Sequence, residues 1–214
     1  MNGYDLNLAG EALVATASGA LWWPDQRLLC VSDLHLGKSE RIARLGGGLL
    51  PPYENLETLD RLAGLVERFN PKTVICLGDS FDDLHAAGML EEEASQALAI
   101  LMAGRDWVWI EGNHDPGPMS FGGTHLRTLC LGNLIFRHIA EPGATGEISG
   151  HYHPKKRVRS VLRPCFLVNQ DRIILPAFGT YTGGLACDAP VLADLAGPKA
   201  IALLVGPSLA ANPA

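Results

Sequence analysis

The sequence predicts an α/β fold: a parallel sheet wound with helices, followed by a strand-rich second half. Three observations predict it. First, the apolar runs Arg27–Asp33, Thr73–Gly78 and Asp106–Glu111 are short and continuous, as strands buried on both faces are. Second, the segments between them include two with helical periodicity, and a strand–helix–strand–helix–strand order implies right-handed crossovers and parallel pairing. Third, residues 133–205 hold several strand-like runs with little helical period between them, which predicts a second sheet.

Taken in order, Ala12–Thr16 and Ala20–Trp23 flank Ser18-Gly19 and read as a hairpin able to join that second sheet. After the first buried strand, Gly46-Gly47-Gly48 and Pro51-Pro52 bracket a long loop of a length that is often functional. Leu56, Leu59, Leu62, Ala63, Val66 and Phe69 then recur at three- and four-residue intervals, a helix ended by Asn70-Pro71. Glu91–Gly104 reads as another, with three acids in its first turn and Gly104 past its end. On the third strand Trp107 and Trp109 alternate, as packing residues do. The second sheet should comprise Asn133–Ile139, Gly146–Gly150, Arg163–Val168, Arg172–Leu175 and Ala200–Val205.

The chain has 214 residues, with 17 Lys or Arg against 23 Asp or Glu, and a net charge of -6 excludes a generally basic nucleic-acid coat. No repeat or long linker divides it, so residues 1–214 read as a single domain. No apolar run approaches the ~20 residues of a membrane span, and Met1–Gly10 lacks the basic start of an export signal. Five cysteines without a C-x-x-C pair read as reduced thiols of a cytoplasmic protein.

Each parallel strand ends in a polar cluster: Asp33-Leu34-His35, then Gly78-Asp79 with Asp82 and Asp83, then Gly112-Asn113-His114-Asp115. The carboxyl ends of such strands are where a site should lie. His138 and Gly150-His151-Tyr152-His153 follow, so carboxylate, carboxamide and imidazole donors accumulate without thiolates, a set suited to Mn, Fe or Zn. If the strands persist, Asp33 and His35 project to one face and can grip one ion. His85 and His125 match no block and read as structural or solvated.

The order D-x-H, G-D, G-N-H-D, H, G-H-x-H, spanning Asp33 to His153, resembles the calcineurin-like metallophosphoesterase superfamily. The resemblance implies a four-layer sandwich, two mixed β-sheets flanked by helices. It also implies a dinuclear centre with Asp33, His35 and His153 on one divalent ion, Asn113, His138 and His151 on the other, and Asp79 shared. Manganese comes first among the candidate metals, with iron or zinc behind it. His114 would donate to the leaving oxygen, oriented by Asp82 or Asp83.

The runs Ser32–Ser39, Gly46–Tyr53 and Leu77–Phe81 are more particular and are similar to the bacterial ligase-associated DNA damage response endonuclease group. That likeness implies a DNA phosphodiester substrate and DNA-repair proteins as partners. The group carries His where Asp82 stands, and a carboxylate there can weaken or retune leaving-group assistance. Lys38, Arg41 and Arg44 follow the first block, and Lys155, Lys156, Arg157, Arg159 and Arg163 follow the last. They read either as phosphate contacts or as a solvated face balancing Glu91–Glu93. The same chemistry on small cyclic or pyrophosphate nucleotides is the alternative. A non-catalytic protein-binding scaffold fits less well, because every ligand block and His114 are present.

Overall fold

The computed structural model describes residues 3–51, 53–118, 120–206 and 209–214. Pro52 of the Pro51-Pro52 pair and Met1-Asn2 of the N-terminal segment lie outside the described residues. The first sheet is built from β1 (Gly3–Leu8), β2 (Glu11–Thr16), β3 (Leu21–Trp23), β4 (Leu28–Val31), β5 (Thr73–Leu77), β6 (Asp106–Ile110) and β7 (Thr124–Leu126), hydrogen-bonded in that order. Four helices are interleaved with it: α1 (Lys38–Arg44), α2 (Glu54–Phe69), α3 (Leu84–Gly88) and α4 (Glu92–Met102). The second sheet contains β8 (Thr128–Leu131), β9 (Leu134–Arg137), β10 (Glu147–Ser149), β12 (Val161–Val168), β13 (Arg172–Ile174), β14 (Ile201–Leu204) and β15 (Ala210–Pro213). β11 (Lys155–Val158) pairs with β12, and α5 (Pro190–Ala196) follows β13.

Four layers result. Leu28, Cys30, Ile75, Leu77 and Val108 of the first sheet meet Phe136, Ile148, Phe166 and Leu203 of the second in a buried core. The opposite face of the first sheet packs Leu29, Val31, Val74, Trp107 and Trp109 against Leu59 and Leu62 of α2 and Leu98 of α4. Cys165, Leu167 and Ile174 meet Leu192 of α5 on the far side of the second sheet. Strands β4, β5 and β6 are thus apolar on both faces, which is why they read as unbroken runs.

Registry places the site. β4, β5 and β6 pair in parallel, with Val31 beside Cys76 and Cys76 beside Trp109, so all three end at one edge. In the second sheet β9 and β10 are also parallel, and their ends deliver His138 and Gly150 to the same region.

Three sequence expectations are corrected. The N-terminal hairpin joins the first sheet, with Leu21 opposite Cys30, because Leu21 and Trp23 then face the inter-sheet core while Trp22 stacks on Phe69 of α2 at 5.0 Å. The long loop begins with α1, whose only large apolar side chain, Ile42, leaves no period to read. Finally, β4 stops at Val31, so Asp33 and His35 do not alternate along a strand; both sit beyond it in left-handed backbone, with φ of 53° and 47°.

Candidate metal centre

Asp79, His151 and His153 adopt the same left-handed conformation, with φ of 45°, 68° and 46°. Five non-glycine residues of one edge therefore share a backbone that L-residues adopt rarely and at a cost of order 1–3 kcal/mol each. Such turns reverse the side chains inward at the strand ends. The neighbouring glycines allow the loops to close together: a Cβ on Gly150 would fall 1.7 Å from Ser32 Oγ, and one on Gly112 would fall 2.2 Å from the Asp79 nitrogen.

Hydrogen bonds fix the frame. The buried Asp115 carboxylate accepts from the backbone N–H groups of Asp79, Ser80, Phe81 and Gly112 at 2.7–3.2 Å, hooking the loop after β5 to the loop after β6. Asp79 Oδ1 accepts from the His114 N–H at 2.9 Å. Asp33 Oδ2 accepts from the Ser32 hydroxyl and from the His151 N–H. Three imidazoles then have one nitrogen committed. His35 Nδ1 lies 2.8 Å from Asp82 Oδ1, His138 Nδ1 donates to the Leu77 carbonyl at 2.8 Å, and His114 Nδ1 donates to the Asp82 carbonyl at 2.7 Å.

The remaining donor atoms converge. Asp33 Oδ1, His35 Nε2 and His153 Nε2 are buried and lack a hydrogen-bond partner among the described residues, although Asp33 Oδ1 and His153 Nε2 are only 3.1 Å apart. Close by, His138 Nε2 is 3.0 Å from Asn113 Oδ1, 3.3 Å from Asp79 Oδ2 and 3.2 Å from His151 Nδ1. Two ligands bound at about 2.1 Å and at right angles would lie about 3 Å from each other. The spacing and the O/N chemistry both fit divalent ions. Among the described residues, three groups each have ligand atoms within 4.8 Å of one another: Asp33, His35 and His153; His35, Asp79 and His114; Asp79, His138 and His151.

The carboxylates and imidazoles of the site shift one another strongly. Burial raises the Asp33 carboxyl, but the imidazoles of His153 and His138 hold it below its ordinary value. Burial likewise opposes ionisation of Asp79, which His138 and His114 nonetheless bring down to about 2. His138 is the converse case: burial pulls it down, while Asp79 and Asp33 lift it to about 9. Burial, with the Asp79 charge adding to it, pushes Asp115 up to about 6 despite its N–H donors.

The flanking residues differ from the sequence expectation. Neither Asp82 nor Asp83 presents a carboxylate to His114, which is held by a main-chain carbonyl instead. The Asp82 carboxylate faces His35 and is shared with Lys38 Nζ at 3.4 Å and Arg41 at 3.0 Å, so those two cations are engaged behind the site rather than free for substrate. Against the cost of burial, His35, Lys38 and Arg41 hold the Asp82 carboxyl far below the carboxylate range. Asp83 caps α3 through the Ala86 N–H and pairs with Arg44. Lys155 Nζ donates to the Thr182 carbonyl, whereas Lys156 and Arg157 have no ion pair among the described residues. His85 is exposed on α3, and His125 stacks on Trp109 at 6.4 Å; neither enters the site. Asp115 and Ser32 stood inside the quoted blocks, but nothing in the sequence marked them as clamps.

An edge where two parallel strand sets converge on buried carboxylate and imidazole donors defines the class. The chain belongs to the calcineurin-like phosphoesterase family, whose model matches residues 26–177, and is a metal-dependent phosphoesterase hydrolase. Among solved structures it is similar to the nuclease MPE of Pseudomonas putida, with 28% identity over 96% of this chain and 98% of that one, and a TM-score of 0.74. No functionally curated protein matches the chain. Among the described residues, no helix is long and apolar enough to cross a membrane.

Proposed function

We propose that this phosphoesterase is a dinuclear phosphodiesterase that cuts nucleic acid internally, acting as a DNA endonuclease. The observation that carries the reading is the convergence of Asp33 Oδ1, His35 Nε2 and His153 Nε2, buried and unpartnered, beside a second set around His138 Nε2. Asp33, His35 and His153 would hold one ion, Asn113, His138 and His151 the other, and Asp79 both. Two divalent ions supply Lewis-acid charge to a phosphate and a hydroxide at neutral pH. Asn113 brings a neutral oxygen to the second set, which limits the negative charge facing a phosphodiester.

His114 is half-buried, and its Nδ1–H is fixed on the Asp82 carbonyl, so Nε2 faces Asp79 Oδ2 at 4.0 Å. From there it can bind a phosphoryl oxygen or, when protonated, hand a proton to the leaving oxygen. Lys156 and Arg157, three and four positions after His153 and without an ion pair among the described residues, would contact phosphates flanking the scissile one. The nuclease likeness supports a nucleic-acid substrate, a DNA-repair setting with repair-protein partners follows from the sequence resemblance, and a cytoplasmic location from five cysteines without a C-x-x-C pair.

The test is metal content of the native protein together with turnover of circular plasmid, single-stranded DNA and bis-nitrophenyl phosphate after loading with Mn, Fe or Zn. Nicking of plasmid supports the endonuclease reading. Hydrolysis confined to small diesters would move the assignment to nucleotides.

A further inference from the structure

Two thiols play no part in the centre described above. Cys165 on β12 and Cys187 ahead of α5 have their sulfurs 3.4 Å apart, both buried, on the outer face of the second sheet. Among the described residues, the other three cysteines have no such neighbour. Cys30 and Cys76 lie in different cores on opposite faces of the first sheet, and Cys130 is exposed on β8.

The pair brackets the segment that carries His153. The Cys165 N–H donates to the Pro154 carbonyl at 3.0 Å, and the Cys187 N–H donates to the Lys155 carbonyl at 2.9 Å. Leu185 is bonded both ways, its N–H to the Tyr152 carbonyl and its carbonyl to the Lys155 N–H. Pro154-Lys155 thus runs between β12, which carries Cys165, and the Leu185–Cys187 stretch, directly after His153. Access exists on one side: a surface cavity of about 410 Å³ is lined by Cys187, Asp188, Ala193, Ala200 and Ala214. The Cys165 sulfur, 3.4 Å from that of Cys187, and the Lys156 ammonium nearby both favour the thiolate at Cys187, the member of the pair that lines the cavity.

We propose that Cys165 and Cys187 form an oxidisable dithiol, a modification site at which peroxide closes a disulfide that staples the two flanks of the His153 segment. The Cys187 thiolate attacks one peroxide oxygen and the O–O bond breaks, giving a sulfenic acid and hydroxide, which becomes water with the proton that the Cys187 thiol had released. Cys165 sulfur then displaces hydroxide from Cys187, which takes the Cys165 proton as a second water. Two thiols lose two electrons and one peroxide gains them.

The experiment uses full-length Cys130→Ser protein, to remove intermolecular bridging, treated with hydrogen peroxide and quenched with catalase. The expected result is an intact mass lower by ~2 Da, a fall from four titratable thiols to two in denaturant, and a Cys165–Cys187 cross-linked peptide. Closing this loop should also raise the thermal midpoint by on the order of 5–10 °C, reversibly with dithiothreitol. Cys187→Ala in the same background should abolish the mass loss. A thiol count that stays at four, or addition of oxygen at Cys187 without cross-linking, would overturn the proposal. These readouts do not depend on phosphoesterase turnover, so they stand or fall separately from the proposed function.

Discussion

In the metal-free chain, folding stability should decline as pH rises from about 6.5 through 9, because His138 gives up a proton that the folded state holds more tightly than the unfolded one. His138 is 4% exposed, 3.3 Å from Asp79 Oδ2 and 3.9 Å from Asp33 Oδ1, and these carboxylates lift its pKa from 6.5 to about 9. At ~1.4 kcal/mol per pH unit, that difference corresponds to roughly 3 kcal/mol. It is counted once, since the depression of Asp79 to about 2 expresses the same contact. The raised imidazole contributes fully below 6.5 and nothing well above 9; the Asp79 side is lost only as pH falls toward 2. His151, pushed down by burial and by the His138 charge, titrates below this window.

A cation bound at His138 Nε2 needs that nitrogen without its proton, so loading should release about one proton per chain near neutrality and remove the alkaline decline. Urea denaturation of chelator-treated protein from pH 6.5 to 9.5, with His138→Gln as control, measures the first effect. Calorimetric titration with Zn or Mn in buffers of different ionisation enthalpy measures the second. A metal-free midpoint that stays flat across the window, or an equal decline in His138→Gln, would refute the assignment of this proton.

Three further outcomes follow from the same geometry. Asp82→Asn should weaken metal binding by about 10–100-fold, because the carboxylate that orients His35 is gone; unchanged affinity by competition with a chromophoric chelator would remove Asp82 from that role. His114→Gln should retain the metals by elemental analysis while kcat on bis-nitrophenyl phosphate falls about 10²–10⁴-fold, as loss of a positioned proton donor does, and undiminished turnover would exclude it. Gly150→Ala should lower the denaturation midpoint or the metal content, since its Cβ would meet Ser32 Oγ at 1.7 Å and Asp33 Oδ2 at 2.5 Å. Native values for both would show that the loop yields at no cost.

The parallel strands were legible because burial on both faces leaves no polar alternation, and Thr73–Leu77 or Asp106–Ile110 has only one way to satisfy that pattern. The polar blocks were legible for a related reason: a metal-ligating loop at the end of a buried strand replaces apolar residues by donors all at once. α1, α3 and α5, of seven, five and seven residues, are too short to show a helical period. The role of Asp82 was hidden more deeply. Its partner His35 is 47 positions away and comes within 2.8 Å only because β4 and β5 end together and both loops turn through left-handed backbone. His114 is held by a carbonyl, an acceptor that every residue carries and no residue type announces. Sequence therefore exposes the groups that would face the cations, while the groups that aim them are chosen by registry. Replacing the carboxylate at position 82 should consequently act on the ion that His35 would hold, and only secondarily on the proton that His114 would donate.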